Sequence, residues 1–130
     1  MIDKQTFPSQ LEVNSLIKYF QNGHYDDAQR LAENITKKFP KYQFAWKVLG
    51  AIFTEKGIFE NALIANEKAA QIDPKDPEAA HNLGITLKSL GKLDYAEDSF
   101  RKAIKIKSDY TEAYINLGIL LEELSQLKEA

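Results

Sequence analysis

Residues 82–91 read NLGITLKSLG, placing Gly84 and Gly91 in a run of good helix formers. A glycine inside a helix costs about 1 kcal/mol relative to alanine, so each needs a compensating reason. A phosphate-binding loop would set a glycine directly before a Lys-Ser or Lys-Thr pair, whereas here Leu87 stands before Lys88-Ser89. The stretch instead recurs along the chain. Gly91 has counterparts at Gly57 and Gly23, spaced by 34 residues, with Ser125 at the next place. The pair Leu83-Gly84 recurs as Leu49-Gly50 and Leu117-Gly118. Ala28, Ala62, Ala96 and Ala130 keep the same spacing, as do Pro40 and Pro74 with Ser108, and Ile35 with Ala69 and Ala103. Agreement among so many independent columns leaves little room for chance, and a fixed period of this size marks a repeat architecture.

A 34-residue period and the pattern W-x2-L-G-x2-Y, then A-x3-F, then P, are those of the tetratricopeptide repeat. Trp46, Leu49, Gly50, Phe53, Ala62 and Pro74 supply it once, and Leu83, Gly84, Leu87, Ala96, Phe100 and Ala103 supply it again. Tyr114, Leu117, Gly118, Leu121 and Ala130 begin a further copy, and Tyr19, Gly23, Ala28 and Pro40 outline a degenerate first one. The chain thus resembles the tetratricopeptide repeat family over almost its whole length. The resemblance implies an all-α fold, a right-handed superhelical solenoid of antiparallel helix pairs. The repeats fall at about 9–42, 43–76, 77–110 and 111–130, the last truncated. Each repeat gives an A helix and a B helix, with those of the second copy expected near Gln43–Lys56 and Phe59–Ile72. Asp76 is the expected N-cap of the next A helix and Pro77 its first residue. Gly23, Gly57 and Gly91 are expected to end A helices in the left-handed conformation, and Gly84 to let its helix lie close on its partner. Two positions depart from the pattern. Asn66 stands where an aromatic residue is expected, which suggests local repacking, and Leu16 stands where glycine is expected, which suits an atypical terminal repeat.

Composition bounds the function classes. The 130 residues include no cysteine, so thiolate catalysis, thiolate metal sites and disulfides are excluded. The net charge of −2 is too balanced for a nucleic-acid or anionic-membrane binder. The basic residues Arg101, Lys102, Lys105 and Lys107 lack interleaved aromatics and read as a solvated outer face. The start, MIDKQTFPSQLEVN, has no basic segment followed by an apolar run, so no signal peptide is expected. No apolar run reaches the length of a membrane span, and a cytoplasmic location is expected. His24 and His81 fall on different repeats and are not expected to form a metal site, no serine lies in a nucleophile-elbow pattern, and the adjacent Glu122 and Glu123 do not face each other on a helix. No enzyme activity, cofactor or metal is expected.

The resemblance implies that ligands lie in the concave groove formed by the A helices. The groove residues it points to are Asn14, Lys47, His81, Asn82, Ile85, Lys88, Asn116 and Ile119. Asparagine recurs at one groove position as Asn14, Asn82 and Asn116, with Val48 breaking the row. A row of amides, each with donor and acceptor, is similar to the asparagine ladder of O-linked N-acetylglucosamine transferases, which would grip the backbone of an extended peptide. The alternative is that these amides brace neighbouring helices. The carboxylate clamp of chaperone-binding members is matched only by Lys47 and Asn82, while Ala51, Glu112 and Asn116 occupy its other places and Glu112 would repel an acidic peptide.

The expected function is a non-catalytic scaffold for a protein or extended peptide, with a faint preference for a basic one. Two others stay open. The chain also resembles arrays that precede a transferase domain in bacterial multidomain proteins, which would make it a substrate-docking module. Ala130 falls inside the expected fourth B helix, leaving Leu117, Leu120, Leu121, Leu124 and Leu127 partly bare. That open end suits either a longer array or self-association.

Overall fold

The computed structural model describes residues 7–129, which form seven helices and no strand. They are α1 (Gln10–Gln21), α2 (Tyr25–Lys38), α3 (Gln43–Glu55), α4 (Phe59–Ile72), α5 (Pro77–Ser89), α6 (Leu93–Ile106) and α7 (Thr111–Glu129). Their starts and stops follow local chemistry. Ser9 caps α1 in a reciprocal capping box with Glu12. Asp76 caps α5, accepting from the backbone N–H groups of Glu78 and Ala79, with Pro77 in the first turn. Gly23, Gly57 and Gly91 follow α1, α3 and α5 with φ of 75°, 74° and 76°, the left-handed region in which a residue lacking Cβ is at ease. Ser125 occupies the next place in that column, and there the structure departs from expectation: α7 runs unbroken to Glu129, without a turn. A serine carries a Cβ that resists the left-handed conformation, so nothing at this position ends the helix. Ala130, of the alanine column, and residues 1–6 lie outside the described residues.

Each helix packs antiparallel on the next, and the odd-numbered helices also meet one another, α3 with α5 and α5 with α7. They therefore lie on the inner side of the curve, with α2, α4 and α6 outside. The core runs along the array as a series of clusters, as stacked repeats lead one to expect. Leu16, Ile35, Val48, Leu49, Ile52 and Phe53 fill its first half, and Leu87, Phe100, Leu117 and Leu120 its second. Leu117 and Leu120 are thus buried, whereas Leu121 and Leu127 are exposed. The position shared by Trp46 and Tyr114 has a polar use as well. Trp46 Nε1 donates to the Pro40 carbonyl at 2.8 Å, and Tyr114, two periods later, donates through its hydroxyl to the Ser108 carbonyl at 2.9 Å. Each bond ties an inner helix to the turn that leads into it.

The glycines at the Leu-Gly positions are explained by what faces them. A Cβ on Gly84 would lie 2.6 Å from the Phe100 ring, and one on Gly50 would lie 2.0 Å from Asn66 Oδ1. Asn66 is buried and donates to Thr86 Oγ1 at 2.8 Å, joining α4 to α5. The departures noted in the sequence are therefore one pattern of exchanged volume. Leu16 and Ala32, buried in one cluster, hold the places that Gly50 and Asn66, then Gly84 and Phe100, hold one and two periods later. A large inner residue goes with a small outer one, and the reverse.

Candidate functional site

The inner wall carries the residues that the sequence pointed to, but their neighbours divide it into a closed and an open half. Lys47, on α3, has its ammonium 3.0 Å from Asp76 Oδ2 and 2.8 Å from Glu78 Oε1. Gln43 Nε2 donates to the same Asp76 oxygen and to the Ala69 carbonyl, both at 3.0 Å. Burial pulls the Lys47 pKa down, and its two carboxylate partners outweigh that, leaving it raised. The ammonium stays charged and committed to α5. Lys88 lies 3.4 Å from Glu123 Oε1 on α7.

His81 is only 4% exposed, where an open groove position had been expected. Its ring lies between Phe100 and Tyr110, at centroid distances of 5.7 and 5.0 Å. Asn116 Nδ2 is 2.7 Å from Nε2, and the Tyr110 hydroxyl oxygen is 3.3 Å from Nδ1. With the amide nitrogen facing it, Nε2 accepts, and the proton sits on Nδ1, which donates to Tyr110. Asn116 thus braces α7 against α5. Burial lowers the His81 pKa, and Glu112 and Glu78 only partly oppose this. The unfolded chain therefore takes up this proton at a higher pH than the folded one. Stability should be fullest above the unfolded value of about 6.5 and fall as pH drops through the folded value. His81→Gln should flatten that slope in thermal melts recorded across the acid-to-neutral range; an unchanged slope would assign it to other groups.

The open half lies between α1, α3 and α5. A cavity of about 230 Å³ is lined there by Phe20, Ala51, Thr54, Glu55, Asn82 and Ile85, with Tyr25, Gly50 and Asn66 behind them. The Phe20 and Tyr25 rings form one wall, their centroids 5.6 Å apart. Among the described residues no hydrogen bond engages the half-buried Asn82 amide, while the Asn82 carbonyl accepts from Thr86 Oγ1. Of the eight groove residues expected from the sequence, the structure therefore brings Asn82 and Ile85 to this cavity and His81 and Asn116 to each other. Lys47 and Lys88 stand in separate ion pairs. Asn14 is exposed on α1, its Oδ1 accepting from Gln10 Nε2 at 2.9 Å, and Ile119 is exposed on α7. Tyr25 and Asn66 escaped the sequence reading because they come from outer helices; the break in the aromatic column at Asn66 was the available clue.

No group of three metal-ligating side chains occurs among the described residues, and none of their helices is long and apolar enough to cross a membrane. Comparison with known proteins agrees with the architecture. Two sequence models of the tetratricopeptide repeat match residues 17–77 and 65–98, together most of the chain. The chain belongs to the tetratricopeptide repeat family. It is 35% identical over 83 residues to the transcription factor tau subunit sfc4 of Schizosaccharomyces pombe (strain 972 / ATCC 24843), a match covering 61% of this chain and 8% of that protein. The chain thus spans a small part of that relative's length. Among solved structures it superposes on the Sgt2 TPR domain from Aspergillus fumigatus with a TM-score of 0.89 at 16% identity, covering 99% of this chain and 89% of that one. It superposes on the first TPR of Spaghetti (RPAP3), bound to the HSP90 peptide SRMEEVD, with a TM-score of 0.86 at 18% identity, covering 95% and 97%. At these identities the likeness is one of fold.

Proposed function

We propose that the chain is a non-catalytic scaffold that holds an extended segment of a partner protein on its inner wall, in the cleft between α1, α3 and α5. The observation that carries this reading is the cavity lined by Phe20, Ala51 and Ile85 with the Asn82 amide uncommitted beside it. Its 230 Å³ is below the roughly 300–1,000 Å³ of small-molecule sites, and suits a single large side chain. An amide with free donor and acceptor can meet the peptide groups on either side of that side chain. The peptide held by the RPAP3 structure supports the use of this fold for such a segment. Its acidic end is a poor match for this chain, because both lysines of the inner wall are already ion-paired.

Peptides selected from a random displayed library on the full chain should bind this cleft. Ala51→Trp, which fills the cavity, should abolish their binding. Asn82→Ala should weaken it roughly five- to tenfold, the worth of about one hydrogen bond. Asn116→Ala is unsuitable for this purpose, since that amide braces His81. Peptides that bind both cleft variants as well as the parent chain would place the site elsewhere.

A further inference from the structure

The charges around the cleft are unevenly spent, and that asymmetry bears on which peptide fits. Lys47 is shared between Asp76 and Glu78, and Lys88 is held by Glu123. No ion pair engages Glu55, Glu112 or Glu122 among the described residues. Of these, Glu55 lines the cavity itself, exposed at the end of α3 and near Phe20, Thr54 and Ile85. The nearby cation of the α3–α4 turn, Lys56, is drawn to the outer side of the array, where it contacts Asp26 Oδ1 and Gln29 Oε1, each at 2.7 Å. The cleft therefore combines an apolar cavity, a free amide and a carboxylate that no ion pair engages among the described residues.

We infer that the segment this cleft accepts is cationic and apolar: an aromatic or large aliphatic side chain enters the cavity, and a neighbouring lysine or arginine pairs with Glu55. An acidic segment would meet Lys47 and Lys88 already ion-paired, and its carboxylates would face Glu55 without compensation. Unlike-charge pairing at such a rim acts mainly on association rate and on choice of partner, so the pairing is a device for specificity. The apolar side chain supplies most of the affinity. The inference rests on the peptide-binding reading of the same cleft and adds the chemistry of its occupant.

The test uses the full chain and the same random displayed library, with recovered peptides remade and titrated against the parent chain, Glu55→Gln, Glu55→Lys and Ala51→Trp. Glu55 is exposed, so its replacement should leave the fold intact. The expected result is a set of peptides weakened by Ala51→Trp that carry lysine or arginine beside an aromatic or aliphatic residue. Their affinity should fall roughly tenfold on Glu55→Lys and less on Glu55→Gln, and it should decline as salt is added. Peptides that are weakened by Ala51→Trp but are acidic or uncharged, or are indifferent to Glu55→Lys, would overturn this inference and leave the peptide-binding reading standing. If Ala51→Trp weakens no recovered peptide, the peptide-binding reading falls, and this inference with it.

Discussion

Replacing Phe100 with alanine is expected to lower the unfolding free energy by about 3–5 kcal/mol, the range for emptying a buried aromatic site. Phe100 is fully buried, in the core cluster that joins α5, α6 and α7. The more telling measurement is what this change does to its neighbour. In the parent chain Gly84→Ala should destabilise despite the better helix propensity of alanine. Its Cβ would stand 2.6 and 2.7 Å from two ring carbons of Phe100, and overpacking costs about 1–3 kcal/mol. In the Phe100→Ala background the ring is gone, so the same substitution should change sign and add up to about 1 kcal/mol. Gly84→Leu in that background should recover more, since it reproduces the arrangement of Leu16 and Ala32. Gly118 supplies the control: nothing lies within 4 Å of where its Cβ would stand, so Gly118→Ala should be neutral or stabilising. Urea denaturation of the four-member cycle measures the coupling directly. An equal loss for Gly84→Ala in both backgrounds would mean that the ring is not what keeps glycine at this position.

That exchange of volume also marks how far the sequence could be read. The helix pairs were legible because the 34-residue period carries its own punctuation: left-handed glycines after α1, α3 and α5, and an N-cap at Asp76 before Pro77. Leu16 and Asn66 could be seen to break their columns, but each makes sense only with a partner sixteen residues away on the facing helix. The pairing is a property of packing, not of either column alone. Ser125 shows the opposite case, since a position on the grid lost its turn when it lost its glycine. The inner wall was harder to read for a related reason. Helical phase tells which way a side chain points, and says nothing of what reaches it from the next repeat. Lys47 lies on an inner helix, yet Asp76 and Glu78 come from the start of the next one to take its charge. His81 lies on an inner helix too, but Tyr110 and Asn116 close over it. The cavity lies where no such partner arrives.

Asp76 is the residue on which the junction between α3 and α5 depends, and Asp76→Ala should remove about 2–5 kcal/mol. Two losses add. Oδ1 accepts from the backbone N–H groups of Glu78 and Ala79 at 3.0 and 3.3 Å, and losing an N-cap costs about 0.5–2 kcal/mol. Oδ2 accepts from Gln43 and Lys47, and a hydrogen bond to a charged group is worth about 1.5–3 kcal/mol. With the aspartate side chain only 13% exposed and that of Glu78 60% exposed, the lysine would keep the more solvated of its two partners. Asp76→Asn separates the contributions, because asparagine caps a helix nearly as well but brings no charge to Lys47. It should cost about half as much. The pH dependence fixes the assignment. Burial pushes the Asp76 carboxyl pKa up, while Lys47 and the two backbone N–H groups pull it down further, leaving it lowered. Its contribution is therefore present above the unfolded value of about 3.9 and is lost as pH falls through the folded one. The stability gap between the parent chain and Asp76→Asn, measured by urea denaturation, should be open near neutral pH and narrow in acid. In a stacked array each unit leans on its neighbours, so hydrogen exchange should show the loss centred on the first turn of α5. A gap that persists unchanged in acid would mean that the aspartate acts through its shape as a cap and not through its charge on Lys47.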